Sequence, residues 1–241
     1  RTLSQNHQEN LGIINRSGEH LLSLINDILE MSKIEAGRAR LNQESFDLNR
    51  LLSTLEEMLG FKAKSQGLEL IFQIDPDIPQ YVQTDEGKLR QVLINILGNA
   101  IKFTKKGQVT LRVSMVDGFS HQTKNHECRA INFEISDTGC GISPEEVNKI
   151  FDPFEQSEAG RRTKQGTGLG LAISKKFVQM MEGNIKVSST LGQGSIFSFD
   201  IQIGAAQEVE QKTPQSPRQV IGLALNQENY RILIVDDHLE S

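Results

Sequence analysis

The sequence has no tryptophan and only two tyrosines beside 11 phenylalanines, so leucine, isoleucine, valine and phenylalanine must build its core. Two cysteines, Cys128 and Cys140, are too few for a disulfide framework or a cysteine zinc site. Reduced thiols are the expected state, which points to a cytoplasmic setting. No apolar run approaches the roughly 18 residues of a membrane-spanning helix, and the N-terminus lacks a secretory signal pattern, so no membrane contact is expected. No block of Lys or Arg forms a basic arm, and the net charge is −5, so nucleic acid is not an expected partner. What is present is 241 residues, 37% hydrophobic and 24% charged. That fits a soluble globular protein of one or two domains, long enough to bury a real core. The chain opens and closes abruptly, and we expect it to be a piece of something longer.

Residues 3–36 read as one long helix. Leu11, Ile14, Gly18, Leu21, Ile25 and Ile28 alternate in steps of three and four, a heptad seam that Leu22 and Leu29 widen. No second helix of matching length lies nearby, so the seam is expected to pack in an intermolecular or interhelical bundle. Gly37 is a plausible C-cap. Phe46 begins a short strand, Leu48–Lys64 reads as an amphipathic helix, and Leu68–Ile74 alternates as a strand with one buried face. Val109–Val116 and Ile131–Asp137 are further strands, joined by the polar segment Asp117–Cys128. His121 and His126 near its tip fit a solvated loop better than a metal site. Ser143, Pro144 and Glu146 form a capping-box pattern at the next helix. A helix through Met181 and two alternating strands, Ile185–Ser189 and Ser195–Ile203, follow. Ala205–Asn229 has a linker composition, and Arg231–Asp237 is a buried-type strand ending in Asp236 and Asp237.

Three features carry chemistry. Helix Asp85–Phe103 is apolar nearly all round except for one stripe of Lys88, Gln91, Asn95, Asn99 and Lys102. Asn95, Asn99 and Lys102 stand at i, i+4 and i+7, on one side. A solvated stripe would favour Glu, Lys and Arg, which form helices better than Asn, so two mid-helix Asn residues favour a polar cleft. An amide oxygen is a hard ligand suited to Mg2+, and Lys can neutralise a phosphate. Ile131, Phe133 and Ile135 place Asp137 on the inward face of its strand, where a carboxylate needs a donor from protein or ligand. Gly166, Gly168 and Gly170 run into a helix, a geometry that seats phosphate on amides at a helix N-terminus. The spacing matches neither G-x-x-x-x-G-K-[ST] nor G-x-G-x-x-G, so taken alone the stretch is equally consistent with a hinge. Residues 156–165, with Arg161, Arg162 and Lys164, suit a lid over an anionic ligand and equally a plain surface loop.

Asn95-x-x-x-Asn99-Ala-x-Lys102-Phe-Thr, Asp137-x-Gly139-x-Gly141-Ile142, Phe151-x-Pro-Phe154 and Gly166-Thr167-Gly168-Leu169-Gly170-Leu171 occur in this order, with Gly192-Gln-Gly194-Ser-x-Phe after them. The set resembles the catalytic ATP-binding domain of sensor histidine kinases, in the wider group that includes DNA gyrase, the Hsp90 chaperones and the MutL repair proteins. The resemblance covers about residues 44–204. Residues 1–43 resemble the second helix of the family's dimerisation and phosphotransfer hairpin. Residues 205–229 then read as a linker and 230–241 as the first strand of a receiver domain, together a hybrid kinase cut at both ends. The implied fold is α+β, a two-layer sandwich of the Bergerat type with a mixed sheet backed by helices, preceded by a long dimerisation helix.

By resemblance, Asp137 takes the adenine amino group and Asn99 ligates Mg2+. Asn95, one turn away, supports the polyphosphate, and Lys102 neutralises it, so these two carry the catalytic roles. Gly139, Gly141 and Ile142 close on ATP, Phe154 anchors the lid, and Gly166, Thr167, Gly168, Leu169, Gly170 and Leu171 bring amides to the phosphates. Asp236 and Asp237 would be a receiver's metal ligands, without function in so short a remnant. The implied partners are a second copy, through the helical hairpin, and a receiver domain or response regulator. Some positions depart from the family. The reactive histidine precedes an acidic residue, yet His7 precedes Gln8 and His20 precedes Leu21. Gln165 and Glu182 stand where glycines are usual. Competing readings are an ATP-binding, dimerising module without turnover of its own and a gyrase- or chaperone-type hydrolase. The hydrolases carry a water-activating glutamate at the place of Asn95, and an amide is a poor base.

Overall fold

Helix–strand alternation along residues 44–205 produces one mixed sheet with helices on a single face. The computed structural model describes residues 5–116, 129–156, 160 and 167–205, all within one compact unit, Arg1–Gln207. Gly166, Asp236 and Asp237, the polar segment 117–128, the lid cations Arg161, Arg162 and Lys164, and the linker and receiver segments lie outside those residues.

Helix α1 spans Gln5–Glu35 and ends where Gly37 turns left-handed at φ 64°. Its closing bonds, Arg38 N–H to Lys33 O at 2.9 Å and Gly37 N–H to Ile34 O at 3.0 Å, form a Schellman cap. The expected seam is uncovered: Leu11 is 51% exposed and Ile14 66%, whereas Met31 and Ile34 near the C-terminus pack on the core. β1 (Glu44–Asp47) leads into α2 (Leu48–Ser65), capped by Asp47, which accepts from Arg50 N–H at 2.9 Å. β2 (Leu68–Ile74) and β3 (Tyr81–Thr84) precede α3 (Glu86–Phe103). Buried Asp85 caps α3, accepting from Lys88 N–H and Asn42 N–H at 2.9 Å and from Lys88 Nζ at 2.8 Å. β4 (Gly107–Met115), β5 (Arg129–Asp137), α4 (Pro144–Val147), α5 (Gly170–Met180), β6 (Ile185–Thr190) and β7 (Gly194–Ala205) complete the order. The capping box at α4 does not form: Ser143 caps no backbone amide and bonds the Glu146 carboxylate at 3.0 Å instead. A helix of one turn offers little dipole or ladder for a box to complete.

The strands run β1-β3-β7-β5-β4-β2, with β6 also on β7. Only β2 and β4 pair in parallel. Strand β7 is long enough, at 12 residues, for one edge to serve both β6 and β3 while the other pairs with β5. The residues of β4, β5 and most of β7 alternate between buried and more exposed, as one covered face requires. Val109, Leu111 and Val113 of β4, Ile131, Phe133 and Ile135 of β5, and Phe199 and Ile201 of β7 are fully buried under Leu89, Leu93 and Ile96 of α3. Phe133 stacks on Phe199 with centroids 5.0 Å apart. This is the expected two-layer α+β sandwich behind a long helix.

Candidate functional site

The polar stripe of α3 faces the end of β5 and the N-terminus of α5 across a cavity of about 390 Å3, the size range of small-molecule sites. Asn95, Asn99, Lys102, Asp137, Gly141, Ile142, Thr167, Gly168, Gly170 and Leu171 all line it, although they come from three separate stretches of chain. Gly139, Phe154 and Leu169 do not line it, for reasons the geometry supplies.

Asp137 ends β5 and is half-buried. It accepts from Gly139 N–H at 2.8 Å and from Ser195, which sits directly opposite on β7. Burial raises its pKa above the ordinary carboxylate value, and the bonds from Gly139 and Ser195 oppose that rise. The carboxylate therefore has protein donors of its own and still borders the cavity. Behind it, Ser195 Oγ lies 3.0 Å from Ser189 Oγ, and Ser189 accepts from Ile142 N–H at 2.8 Å, tying the turn to the sheet. Gly139 serves the turn: a Cβ there would stand 2.7 Å from Phe103 O. At Gly141, φ is 68° and a Cβ would stand 2.1 Å from Thr190 O. These two glycines are required by the protein's own backbone packing, whatever approaches from the cavity.

On α3, Asn95 Nδ2 donates to Ser174 Oγ at 2.9 Å, and Asn99 Nδ2 donates to Asn95 Oδ1 at 3.4 Å. Lys102 is held below the usual lysine pKa, first by burial and then by the nearby positive charge of Lys62. Gly170 opens α5 against Asn95, where a Cβ would meet Asn95 Oδ1 at 2.5 Å. The first amides of α5 have no intrahelical acceptor and point toward the cavity end of the helix. Leu169 is buried in the core, and its N–H donates to Thr167 Oγ1 at 3.1 Å.

Phe154, expected to anchor the lid, is 69% exposed and has a left-handed backbone at φ 66°. Its N–H instead donates to Gly168 O at 3.0 Å, joining this segment to the glycine turn through the backbone. The inward ring is Phe151, edge-on to Phe197 at 6.4 Å.

Several lining residues escaped the sequence reading, Ser174, Ser195 and Asp27 among them. Ser174 and Ser195 look like ordinary helix and strand serines until the elements meet. Asp27 comes from α1, 140 positions before its partner: Thr167 Oγ1 donates to Asp27 Oδ2 at 2.9 Å. Helix α1 thereby touches the glycine turn, and no local pattern in α1 marks that aspartate.

The donor set fits a metal-nucleotide ligand. Apolar walls at Ile94, Ile142, Ile150, Ile173 and Phe197 suit a planar base beside one carboxylate acceptor, and an amide oxygen, a lysine and helix amides suit a polyphosphate. Among the described residues no cluster of three His, Cys, Asp or Glu could cage a metal. A hard cation held by Asn99 would therefore take its other ligands from phosphate and water, the usual manner of Mg2+. No helix among the described residues is long and apolar enough to cross a membrane.

Residues 84–205 match the family described as histidine kinase-, DNA gyrase B- and HSP90-like ATPases. Hybrid signal transduction histidine kinase B of Dictyostelium discoideum is 41% identical over 84% of this chain and 10% of its own length. Autoinducer 2 sensor kinase/phosphatase LuxQ of Vibrio vulnificus is 36% identical over 98% of this chain and 27% of its own. A crystal structure of full-length ShkA in complex with AMPPNP superposes with a TM-score of 0.70 at 33% identity, over 86% of this chain and 41% of that one. The chain thus spans a minor part of the curated relatives it matches.

Proposed function

The chain belongs to the histidine kinase-, DNA gyrase B- and HSP90-like ATPase family, and from that membership we propose that it is the ATP-binding catalytic core of a hybrid sensor histidine kinase. It would transfer the γ-phosphate of Mg-ATP to a histidine on a dimerisation hairpin, and the phosphoryl group would pass on to a receiver aspartate. The observation that carries this reading is the convergence of Asn99, Lys102, Asp137 and the Gly168–Gly170 turn on one cavity. When bound, Mg-ATP supplies the phosphoryl group with its charge partly neutralised. Asp137 would accept an exocyclic amine. Asn99 would offer its amide oxygen to the metal, Lys102 would balance phosphate charge, and the opening amides of α5 would hold phosphate oxygens. Phosphoryl transfer demands mainly positioning and charge neutralisation, which this set can supply.

The α3 wall of the cavity offers Gln91, Asn95, Asn99 and Lys102 and no carboxylate, which favours transfer to a histidine over the hydrolysis of gyrase-type relatives. The uncovered seam of α1 supports the helical hairpin as the dimer contact, with the acceptor histidine on its other helix. Since neither His7 nor His20 precedes an acidic residue, this stretch alone would bind Mg-ATP and dimerise without turnover. A reaction that draws on ATP and passes its phosphoryl group to a receiver would run in the cytoplasm.

Calorimetric titration with Mg-ATP tests the site. Asp137→Asn and Asn99→Ala should each weaken binding about tenfold or more, and normal binding by both variants would overturn the assignment. Mixing the protein with a histidine-bearing hairpin and γ-labelled ATP tests the reaction. Label on the hairpin supports the kinase, whereas free phosphate without labelled hairpin supports the hydrolase.

A further inference from the structure

Ser174 lies on α5 four residues after Gly170, on the helix face turned to α3, and is 2% exposed. Its neighbours Ala172 and Ile173 are buried apolar residues, and alanine would fill the same place without bringing a hydroxyl into the core. Across the interface the hydroxyl accepts a hydrogen bond from the side-chain nitrogen of Asn95 at 2.9 Å. A carboxamide has two unlike ends, one donating and one accepting. With its nitrogen bound to Ser174, Asn95 turns its oxygen toward Asn99, and Asn99 Nδ2 donates to that oxygen at 3.4 Å. The amide nitrogen of Asn99 is thereby engaged, and the oxygen is the end it can offer to the cavity. Gly170 closes the arrangement from the other side, because a Cβ there would displace Asn95 Oδ1.

We propose that Ser174 is a positioning residue that acts through Asn95 to make Asn99 present oxygen, rather than nitrogen, to a hard divalent cation carried on a nucleotide. The proposal rests on the ATP-binding reading of the cavity and adds a residue outside the polar stripe. Without the Ser174 hydroxyl, Asn95 can rotate end for end, and Asn99 loses the acceptor that fixes its own orientation. An Asn99 that swings its NH2 to the cation repels it. The effect therefore falls on the cation-dependent part of nucleotide binding, whereas simple loss of packing weakens binding with or without the cation.

The test uses the 241-residue chain and ATP as the probe, titrated once with Mg2+ and once with EDTA. The measured quantity is the ratio of the two dissociation constants. Ser174→Ala should shrink that ratio about tenfold, as loss of a residue behind a metal ligand commonly does, while binding in EDTA stays within about twofold. Ser174→Thr and Ser174→Val add equal bulk, so their comparison isolates the hydroxyl: threonine should retain the ratio and valine should lose it. An unchanged ratio in the alanine and valine variants, or an equal loss in both buffers, overturns the proposal and leaves the ATP site standing. A native chain that binds ATP in neither buffer overturns the ATP reading and the proposal with it.

Discussion

Replacing Gly170 with alanine would put a methyl group 2.5 Å from Asn95 Oδ1, 3.0 Å from its Cγ and 3.1 Å from its Nδ2. Comfortable contact begins near 3.5 Å, so the carboxamide must retreat by about 1 Å. Its bond to Ser174 starts at 2.9 Å and the one it receives from Asn99 at 3.4 Å, so that retreat breaks at least one and strains both. Two such bonds contribute about 2 kcal/mol net. Alanine at the first position of α5 returns at most about 1 kcal/mol of helix propensity, and Gly170 is not in the left-handed region, so no backbone strain is added. The net loss is about 1 kcal/mol, a fall of about 2–4 °C in midpoint for a domain this size. The functional loss should be larger: Mg-ATP affinity should drop about 10–100-fold, because the group displaced supports the proposed metal ligand. Thermal unfolding followed by circular dichroism and calorimetric titration read the two effects separately. Unchanged Mg-ATP affinity would refute the idea that Asn95 holds the site together. Collapse of the fold would show that Asn95 cannot retreat. Gly141→Ala is the contrasting case, because the obstacle there is the Thr190 carbonyl at 2.1 Å and φ is 68°, so the turn itself must break.

Three further outcomes follow from the same geometry. Asp137 has a folded pKa above its unfolded value, through burial. Its contribution to stability is therefore complete below the unfolded value and is lost as pH rises through the folded one. Asp137→Asn should accordingly gain stability relative to the native protein between about pH 4 and about pH 7 in urea unfolding, and an equal difference at both ends would refute the burial argument. Glu182 holds φ 57°, where a side chain costs energy. Glu182→Gly should stabilise by about 0.5–1 kcal/mol, and a lower urea midpoint would show that other contacts of Glu182 outweigh the strain. Asp27→Ala removes the acceptor of the Thr167 hydroxyl, so amide hydrogen exchange across residues 167–171 should accelerate. Unaltered exchange would mean that α1 does not steady the glycine turn.

Short windows of sequence were enough for the periodic features. The bounds of β2 are those of the alternating run Leu68–Ile74, although Ile74 at its end is exposed, and the parity of Ile131, Phe133 and Ile135 puts Asp137 on their face of β5. The spacing of Asn95, Asn99 and Lys102 depends only on helix geometry, and all three line the cavity. These properties repeat every two or 3.6 residues, so the chain carries them locally. Contacts between elements are different. Ser195 meets Asp137 because β7 inserts beside β5 in one register, and Ser174 meets Asn95 because α5 packs on α3, 79 positions along the chain. Asp27 reaches Thr167 only because α1 lies against α5. The left-handed backbone of exposed Phe154 is likewise announced by no pattern of side chains. Periodicity in the sequence settled which residues face inward along each element. The tertiary structure decided which inward groups touch, because that depends on strand order, register and helix packing, and each of these is set by the whole core.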